Sequence, residues 1–262
     1  MTTYLRSAPL RRAQLARFTQ WSGRALLALG TALTCPAAAL AQPAPLAPGE
    51  YLTEQGWGRM TIEPAAGGAQ KFTIEALGAN AHSCSLDGAI RGRQARLEDT
   101  GEKDRPCVVD FTPKGGGIEV MPKTEEACRA FCGMRARFDG LYLKPAPGCG
   151  GDQVQKTRAA FKRIYDKKDY AQARATLAPV LATCGKTLSF EEESWVRNDL
   201  AITYYRLGDL AECRRALDPL RELAALSAAE VRDGFPPADA ELRAPIARAA
   251  RANLKLCQGG AK

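Results

Sequence analysis

Cysteine is the residue with the most informative chemistry in this chain of 262 residues, which contains nine of them. Cys128 and Cys132 form a Cys-x3-Cys pair whose thiolates could bind zinc. In an oxidising compartment the same side chains form disulfides instead. Because Cys35 lies in a segment that has the features of an export leader, eight cysteines remain for the rest of the chain. We therefore predict four disulfides and no metal site.

Residues 1–41 are predicted to be a cleavable signal peptide. Five arginines and no acid lie in this segment, an apolar stretch runs from Ala25 to Leu33, and we place cleavage after Ala41 in Ala39-Leu40-Ala41. The apolar stretch is too short to span a bilayer. A retained interfacial anchor, the twin-arginine route and lipid attachment at Cys35 are alternatives that the flanking residues favour less. We expect ordinary secretory export to a bacterial periplasm, with secretion from the cell as the alternative.

The net charge argues against nucleic acid as a partner. The chain carries +8, but the leader holds five arginines and no acid, so residues 42–262 carry only +3. A nucleic-acid interface requires a dense and directed basic patch. We therefore predict no nucleic-acid binding, and no later segment is apolar enough to span a membrane.

Catalytic residues are not evident elsewhere. His82 is the only histidine and Ser83 follows it, but neighbouring residues of a strand point to opposite faces and cannot form a working pair. Glycoside hydrolysis requires two carboxylates, for which Asp110, Asp139 and Glu191-Glu192-Glu193 are candidates. The glutamate run is better interpreted as the first turn of a helix. We predict no catalytic residue and no cofactor.

The apolar pattern of residues 42–145 has mostly period two, which predicts strands. It gives seven or eight short strands, the last of them over Ala136, Phe138 and Tyr142, in an antiparallel barrel or sandwich. Thr124 is a suitable N-cap for one short helix that ends near Cys132. The predicted class is α+β with two domains, of which this disulfide-linked β domain is the first.

The pattern also predicts how the short helix is held. Cys84 and Cys107 share the inward face of their strands, and Cys128 and Cys132 share one face of the helix. We expect two disulfides from helix to sheet and favour Cys84–Cys132 with Cys107–Cys128, while the swapped pairing stays open.

A Pro/Gly-rich segment, 146–151, is predicted to be a linker to a helical domain at 152–262. A shift of 40 residues aligns six identities within this domain, which indicates duplication of a helix–turn–helix unit. The aligned pairs are Tyr165 with Tyr205, Asp169 with Asp209, Ala171 with Ala211, Arg174 with Arg214, Leu177 with Leu217 and Pro179 with Pro219. Capping boxes at Ser189/Glu192 and Ser227/Glu230 are predicted to open further helices.

Residues 155–225 resemble tetratricopeptide repeats. Leu200, Ala201, Tyr204 and Gly208 match the first helix and turn of that family, and Ala173 and Cys213 lie where it has a small residue. Lys168 replaces the turn glycine in the first copy, and the spacing exceeds the usual 34 residues of the family. The resemblance implies an all-α repeat domain that presents a surface to a protein partner.

Alternating helix directions also constrain the remaining cysteines. Cys149 and Cys184 are expected at one end of the stack, and Cys213 and Cys257 at the other. We predict the disulfides Cys149–Cys184 and Cys213–Cys257, because the alternative Cys184–Cys213 would have to bridge most of a helix length.

The first helix of the repeat has a basic side, which is either a solvated face or a docking site for an acidic partner. Its members are Lys156, Arg158, Lys162, Arg163, Lys167 and, in the turn, Lys168. We predict a non-enzymatic periplasmic scaffold or adaptor that binds another protein. Residues 128–142 are also similar in style to small periplasmic lysozyme inhibitors. A lysozyme-inhibitor or immunity-type protein and an envelope hydrolase with unidentified carboxylates are therefore the alternative functions.

Overall fold

The protein consists of a β-rich part followed by a helical part, in a computed structural model that describes residues 43–101 and 105–259. The predicted leader and its cleavage site after Ala41 lie outside the described residues. The strands are β1 Gly49–Thr53, β2 Gly58–Ile62, β3 Gln70–Leu77, β4 Ser83–Arg91, β5 Gln94–Leu97, β6 Cys107–Lys114, β7 Gly117–Pro122 and β8 Gly140–Leu143. The helices are α1 Glu125–Cys128, α2 Gln153–Asp166, α3 Tyr170–Cys184, α4 Phe190–Arg206, α5 Leu210–Leu217, α6 Arg221–Ala225, α7 Ala228–Gly234 and α8 Pro237–Gln258. The predicted α+β class is confirmed.

The eight strands form a closed antiparallel barrel in which each strand pairs with the next. The barrel closes between β1 and β8, where Leu52 is opposite Leu143 and Thr53 is opposite Tyr142. Strand β3 shows why the sequence pattern worked, since its residues alternate strictly between buried and exposed. Of the two architectures predicted, the structure therefore forms the barrel.

Side chains fill the interior of the barrel. Met60, Phe72, Ile74, Phe111 and Tyr142 are each at most 2% exposed. The rings of Phe72 and Phe111 meet edge to face with centroids 4.9 Å apart, a favoured arrangement of aromatic pairs. The interior is therefore a packed hydrophobic core.

One end of the barrel is covered by the segment that precedes β1. Leu46 is buried there, and its backbone is held by the side chain of Gln70 at the start of β3. The Leu46 amide donates to Gln70 Oε1 at 2.7 Å, and Gln70 Nε2 donates to the Leu46 carbonyl at 2.8 Å and to the Glu63 carbonyl at 3.2 Å. Gln70 is thus a buried polar residue with its hydrogen bonds satisfied.

The other end of the barrel is covered by the segment between β7 and β8. Disulfides Cys84–Cys132 and Cys107–Cys128 join this segment to β4 and β6, and they are the two pairs that the sequence analysis favoured. The helix is shorter than predicted, because α1 ends at Cys128 and continues only as a 3-10 turn to Phe131. Disulfide bonding leaves no thiolate at Cys128 or Cys132 for a metal.

Thr124 does not cap α1 with its side chain as predicted. Its hydroxyl instead donates to the Pro106 carbonyl at 2.9 Å and accepts from the Val108 amide at 2.8 Å. The predicted last strand is also shorter, since only Gly140–Leu143 pairs with its neighbours, and Ala136 and Phe138 precede it in irregular structure. Tyr142 donates its hydroxyl hydrogen to the Phe138 carbonyl at 2.7 Å. The Phe138 carbonyl thus bonds to a side chain and not to a neighbouring strand.

The described residues of the helical part form seven α-helices, the first four of which make two helix–turn–helix units. In each unit a residue with positive φ ends the first helix, Lys168 at +66° and Gly208 at +79°. Asp169 and Asp209 follow and cap the next helix with their side chains. The capping boxes that were predicted at the starts of α4 and α7 are both present. Among the described residues, no helix is both long enough and apolar enough to cross a membrane.

Helix α8 packs across α4, α5, α6 and α7. Asn253 of α8 donates to the backbone and side-chain oxygens of Asn198 in α4, at 3.2 and 3.1 Å. The helical part contains the disulfides Cys149–Cys184 and Cys213–Cys257, which again are the predicted pairs. Four disulfides fit a protein that works outside the cytoplasm.

Two turns of the barrel contact the helical part directly. Gly56, at φ +58°, lies against the backbone just before α4, where a Cβ would come within 2.7 Å of the Thr187 carbonyl oxygen. Asn80, in the turn between β3 and β4, accepts a hydrogen bond from the Ala238 amide at 3.1 Å. In return the Asn80 amide donates to both carboxylate oxygens of Asp239 at 3.2 Å. These contacts attach the barrel to the segment before α4 and to the start of α8.

Candidate functional site

The residues considered for catalysis are separated in the structure. Asp110 and Asp139 lie on the barrel, where they are paired with Lys123 and Arg137, whereas the three glutamates lie in the first turn of α4. His82 lies in the turn before β4 and packs close to Gly133. These side chains therefore lie in a turn, in ion pairs and at the start of a helix, and the structure does not bring them together.

A groove between α2 and α4 is a concave surface of the helical part that is lined by charged, aromatic and aliphatic side chains. We call it the α2–α4 groove, and its volume is about 520 Å³. Its lining side chains include Val154, Arg158, Lys162 and Tyr165 of α2, and Glu191, Trp195, Asp199 and Ile202 of α4. Residues four or three apart on a helix share a face, so each helix presents one continuous row to the groove.

An ion pair connects the two helices in the groove. Arg158 donates to Asp199 Oδ2 through Nε at 3.0 Å and through Nη2 at 2.7 Å. Burial raises the pKa of the Asp199 carboxyl, and the positive charge of Arg158 opposes part of that rise. The guanidinium of Arg158 also lies 5.9 Å from the ring centroid of Trp195, within the range of a cation–π contact. The side chains of Arg158 and Asp199 stay 29% and 26% exposed, so a ligand in the groove can reach them.

Aromatic side chains follow the groove toward the C-terminal ends of both helices. The ring centroids of Phe161 and Tyr165 are 5.7 Å apart, and those of Tyr165 and Tyr170 are 5.1 Å apart. Interaction with the nearby Tyr165 side chain raises the pKa of the Arg206 guanidinium. This end of the groove therefore offers flat apolar faces together with an exposed cation.

The structure divides the five residues predicted for partner binding. Arg158 and Lys162 line the groove, and Lys162 lies 3.6 Å from Asp166. Lys156, Arg163 and Lys167 are exposed and fall on another face of α2, as their spacing of seven and four residues requires. The groove is not uniformly basic, because Asp166 and Asp199 line it beside Arg158 and Lys162.

Sequence reasoning did not identify Trp195, Asp199 or Ile202 as site residues. Their spacing of four and three residues is a signal that could have shown a shared face on α4. The partner of Asp199 could not be found in the same way, because Arg158 lies 41 residues away in the chain.

No protein-family model, curated protein or solved structure matches the chain. The site must therefore be interpreted from its own residues.

Proposed function

We propose that this protein is exported to the bacterial periplasm and acts there without catalysis, by binding another protein in the α2–α4 groove. The observation that carries this proposal is the convergence of Arg158, Asp199 and Trp195 from two helices on one accessible groove. Tryptophan, tyrosine and arginine are the side chains most enriched at energetically important positions of protein interfaces.

The arrangement of the helices supports the same function. Two helix–turn–helix units with matching turns at Lys168 and Gly208 are consistent with the tetratricopeptide resemblance of the sequence. Stacks of such units commonly use the groove between successive helices to bind proteins. The leader predicted at residues 1–41 and the four disulfides support export.

Photocrosslinking from defined positions tests the proposal. A photoreactive amino acid at Lys162 in the groove, and one at Lys156 on the other side of α2 as the matched control, are placed in the full chain and irradiated in cells. We expect a specific crosslinked protein from position 162 only, and its loss in Trp195→Ala. Equal crosslinking from both positions, or none from either, would contradict the proposal.

The alternative of a lysozyme-inhibitor or immunity-type protein has one observation of its own. Met134 is 87% exposed in the turn from Gly133 to Ala136, directly after Cys132, which a disulfide holds to β4. An exposed apolar side chain on a rigid loop suits insertion into the cleft of an enzyme. Crosslinking from position 134 to a cell-wall hydrolase would favour this function, and turnover of peptidoglycan by the purified protein would favour the hydrolase alternative.

A further inference from the structure

Charge is unevenly distributed along the α2–α4 groove. Glu191 and Glu192 lie at one end, in the first turn of α4, and the described residues include no cation paired with either carboxylate. The Glu192 carboxylate accepts from the amide and the hydroxyl of Ser189, in the capping box. This end of the groove is therefore acidic.

The opposite end has a net positive charge, because Lys162 and Asp166 pair with each other there and Arg206 adds a further cation. Arg206, the last residue of α4, is exposed, and within the described ranges no carboxylate is paired with it. Arg206 follows the groove-lining residue Ile202 by four residues, so it continues the row of α4 that faces the groove. Its guanidinium interacts favourably with the nearby Tyr165 side chain.

In the middle, Arg158 and Asp199 neutralise each other beside Trp195. The groove thus presents a negative end, a neutral aromatic centre and a positive end.

We infer that the groove binds an extended peptide segment with opposite charges at its two ends. A lysine or arginine lies over Glu191, an apolar residue lies on Trp195, and an acidic residue lies over Arg206. The inference rests on the proposed function and specifies the partner further. Glu191 and Arg206 are 15 residues apart on α4, about 22 Å at 1.5 Å per residue, and an extended peptide of about six residues covers this length when the reach of its charged end side chains is added.

The alternatives in charge are disfavoured by the same geometry. A uniformly acidic segment, as the basic residues of α2 alone had suggested, would place a carboxylate against Glu191 and Glu192. A uniformly basic segment would place a cation against Arg206. Like charges at contact distance oppose binding, and complementary charges select the partner and its register.

Peptide pools of defined charge test the inference. Fluorescent, acetylated and amidated hexapeptides carry mixed residues at the four central positions and one of four end combinations: Lys first and Asp last, the reverse order, Asp at both ends, or Lys at both ends. Binding to the full chain is measured by fluorescence polarisation at low salt. We expect one of the two dipolar pools to bind about fivefold more tightly than either uniform pool, as one exposed ion pair provides.

Charge substitutions then identify the two ends. We expect Glu191→Lys to shift the preference to the acidic pool and Arg206→Glu to shift it to the basic pool. Glu191→Gln should reduce the dipolar preference without reversing it. Lys156→Glu, a change of equal size outside the groove, is the control and should leave the order of the pools unchanged. Circular dichroism of each variant checks that it is folded.

The outcomes separate this inference from the proposed function. Tightest binding of a uniform pool to the unsubstituted protein, no binding of any pool, or an unchanged order in Glu191→Lys would each overturn the inference. If crosslinking from position 162 persists in that case, the proposed function stands without it. If groove crosslinking is absent as well, both are wrong.

Discussion

The contact between Asn80 and Asp239 yields a sharp prediction about how the barrel is attached to the helices. Helix α8 starts at Pro236-Pro237, whose side chains cannot cap it, and the Asn80 side chain accepts from the Ala238 amide in their place. The Asp239 carboxylate accepts from the Asn80 amide in return. Two segments 159 residues apart thus form a reciprocal cap, an arrangement that normally lies within one helix start.

Removal of either half of this reciprocal cap should destabilise the protein by about 1 kcal/mol, the usual value of an N-cap side chain. Asn80→Gly is the appropriate substitution, because Asn80 has φ +58° and glycine keeps that backbone while losing the cap oxygen. Asp239→Ala removes the other bond. The double variant should lose less than the sum of the two, by roughly 0.5 kcal/mol or more, since each bond orders the partner of the other.

Urea unfolding followed by tryptophan fluorescence measures these values in a chain that lacks the predicted leader, so that only Trp57 in the barrel and Trp195 in α4 report. Substitution of one tryptophan by phenylalanine reports each part separately, and in the variants we expect the two transitions to move apart. An unchanged midpoint in Asn80→Gly, or strictly additive losses, would refute the reasoning that the two bonds act as one cap. Asn80→Ala provides a comparison, because it adds backbone strain at positive φ and should cost more than the glycine variant.

Three further predictions concern single features of the fold. Gln70→Ala should lower the free energy of unfolding by about 2–3 kcal/mol in urea titrations, because it leaves buried backbone groups unpaired; a loss below about 1 kcal/mol would contradict this. Lys168→Gly should relieve a positive φ, raise the free energy of unfolding by about 0.5–1 kcal/mol and so raise the thermal midpoint, whereas Gly208→Ala should lower the free energy of unfolding by at least as much. Shifts of the opposite signs would show that the turns are not strained. Hydrogen bonds from Ser227 lower the pKa of Glu230, so NMR titration should give a value below that of an ordinary glutamate, and Ser227→Ala should return it partway. The stability that this cap contributes is present above the ordinary glutamate pKa and is lost as pH falls through the lowered one, and a normal pKa in the unsubstituted protein would contradict the assignment.

Much of the barrel was predictable because buried and exposed residues alternate along its strands. β3 shows the pattern throughout. The choice between barrel and sandwich was not predictable, since closure depends on the pairing of β1 with β8, about 90 residues apart in the chain. The segment before β8 was misassigned because the alternation of Ala136 and Phe138 reflects packing over the barrel end, where both contact the barrel core outside any strand.

The two disulfide pairs of the helical part were accessible to sequence reasoning because helix direction determines which cysteines share an end. In the barrel, strand phase identified the four cysteines that pair but left the swapped pairing open. The capping boxes at Ser189 and Ser227 were equally local signals, and both are formed. Helix α6 was not identified, since it is a short segment of five residues that follows a 3-10 turn at Asp218–Leu220. Packing against α8 stabilises it.

The candidate site was predicted only in part, for a physical reason. The sequence shows which residues of α2 are basic, but their exposure depends on the neighbour that α2 packs against. Packing against α4 brings Arg158 to Asp199 and leaves Lys156 on the outside. A groove forms only where two helices pack together, and the sequence of one helix alone does not show which other helix it packs against.

The placement of the disulfides has a consequence for how the chain matures. The bridges of the barrel close at Cys132, and those of the helices begin at Cys149, so none of the four crosses between the two parts. A polypeptide that emerges from its amino end can oxidise the barrel completely before α2 is available. The early thiols are then consumed before the late ones appear, which removes most of the wrong pairings that eight cysteines would otherwise permit.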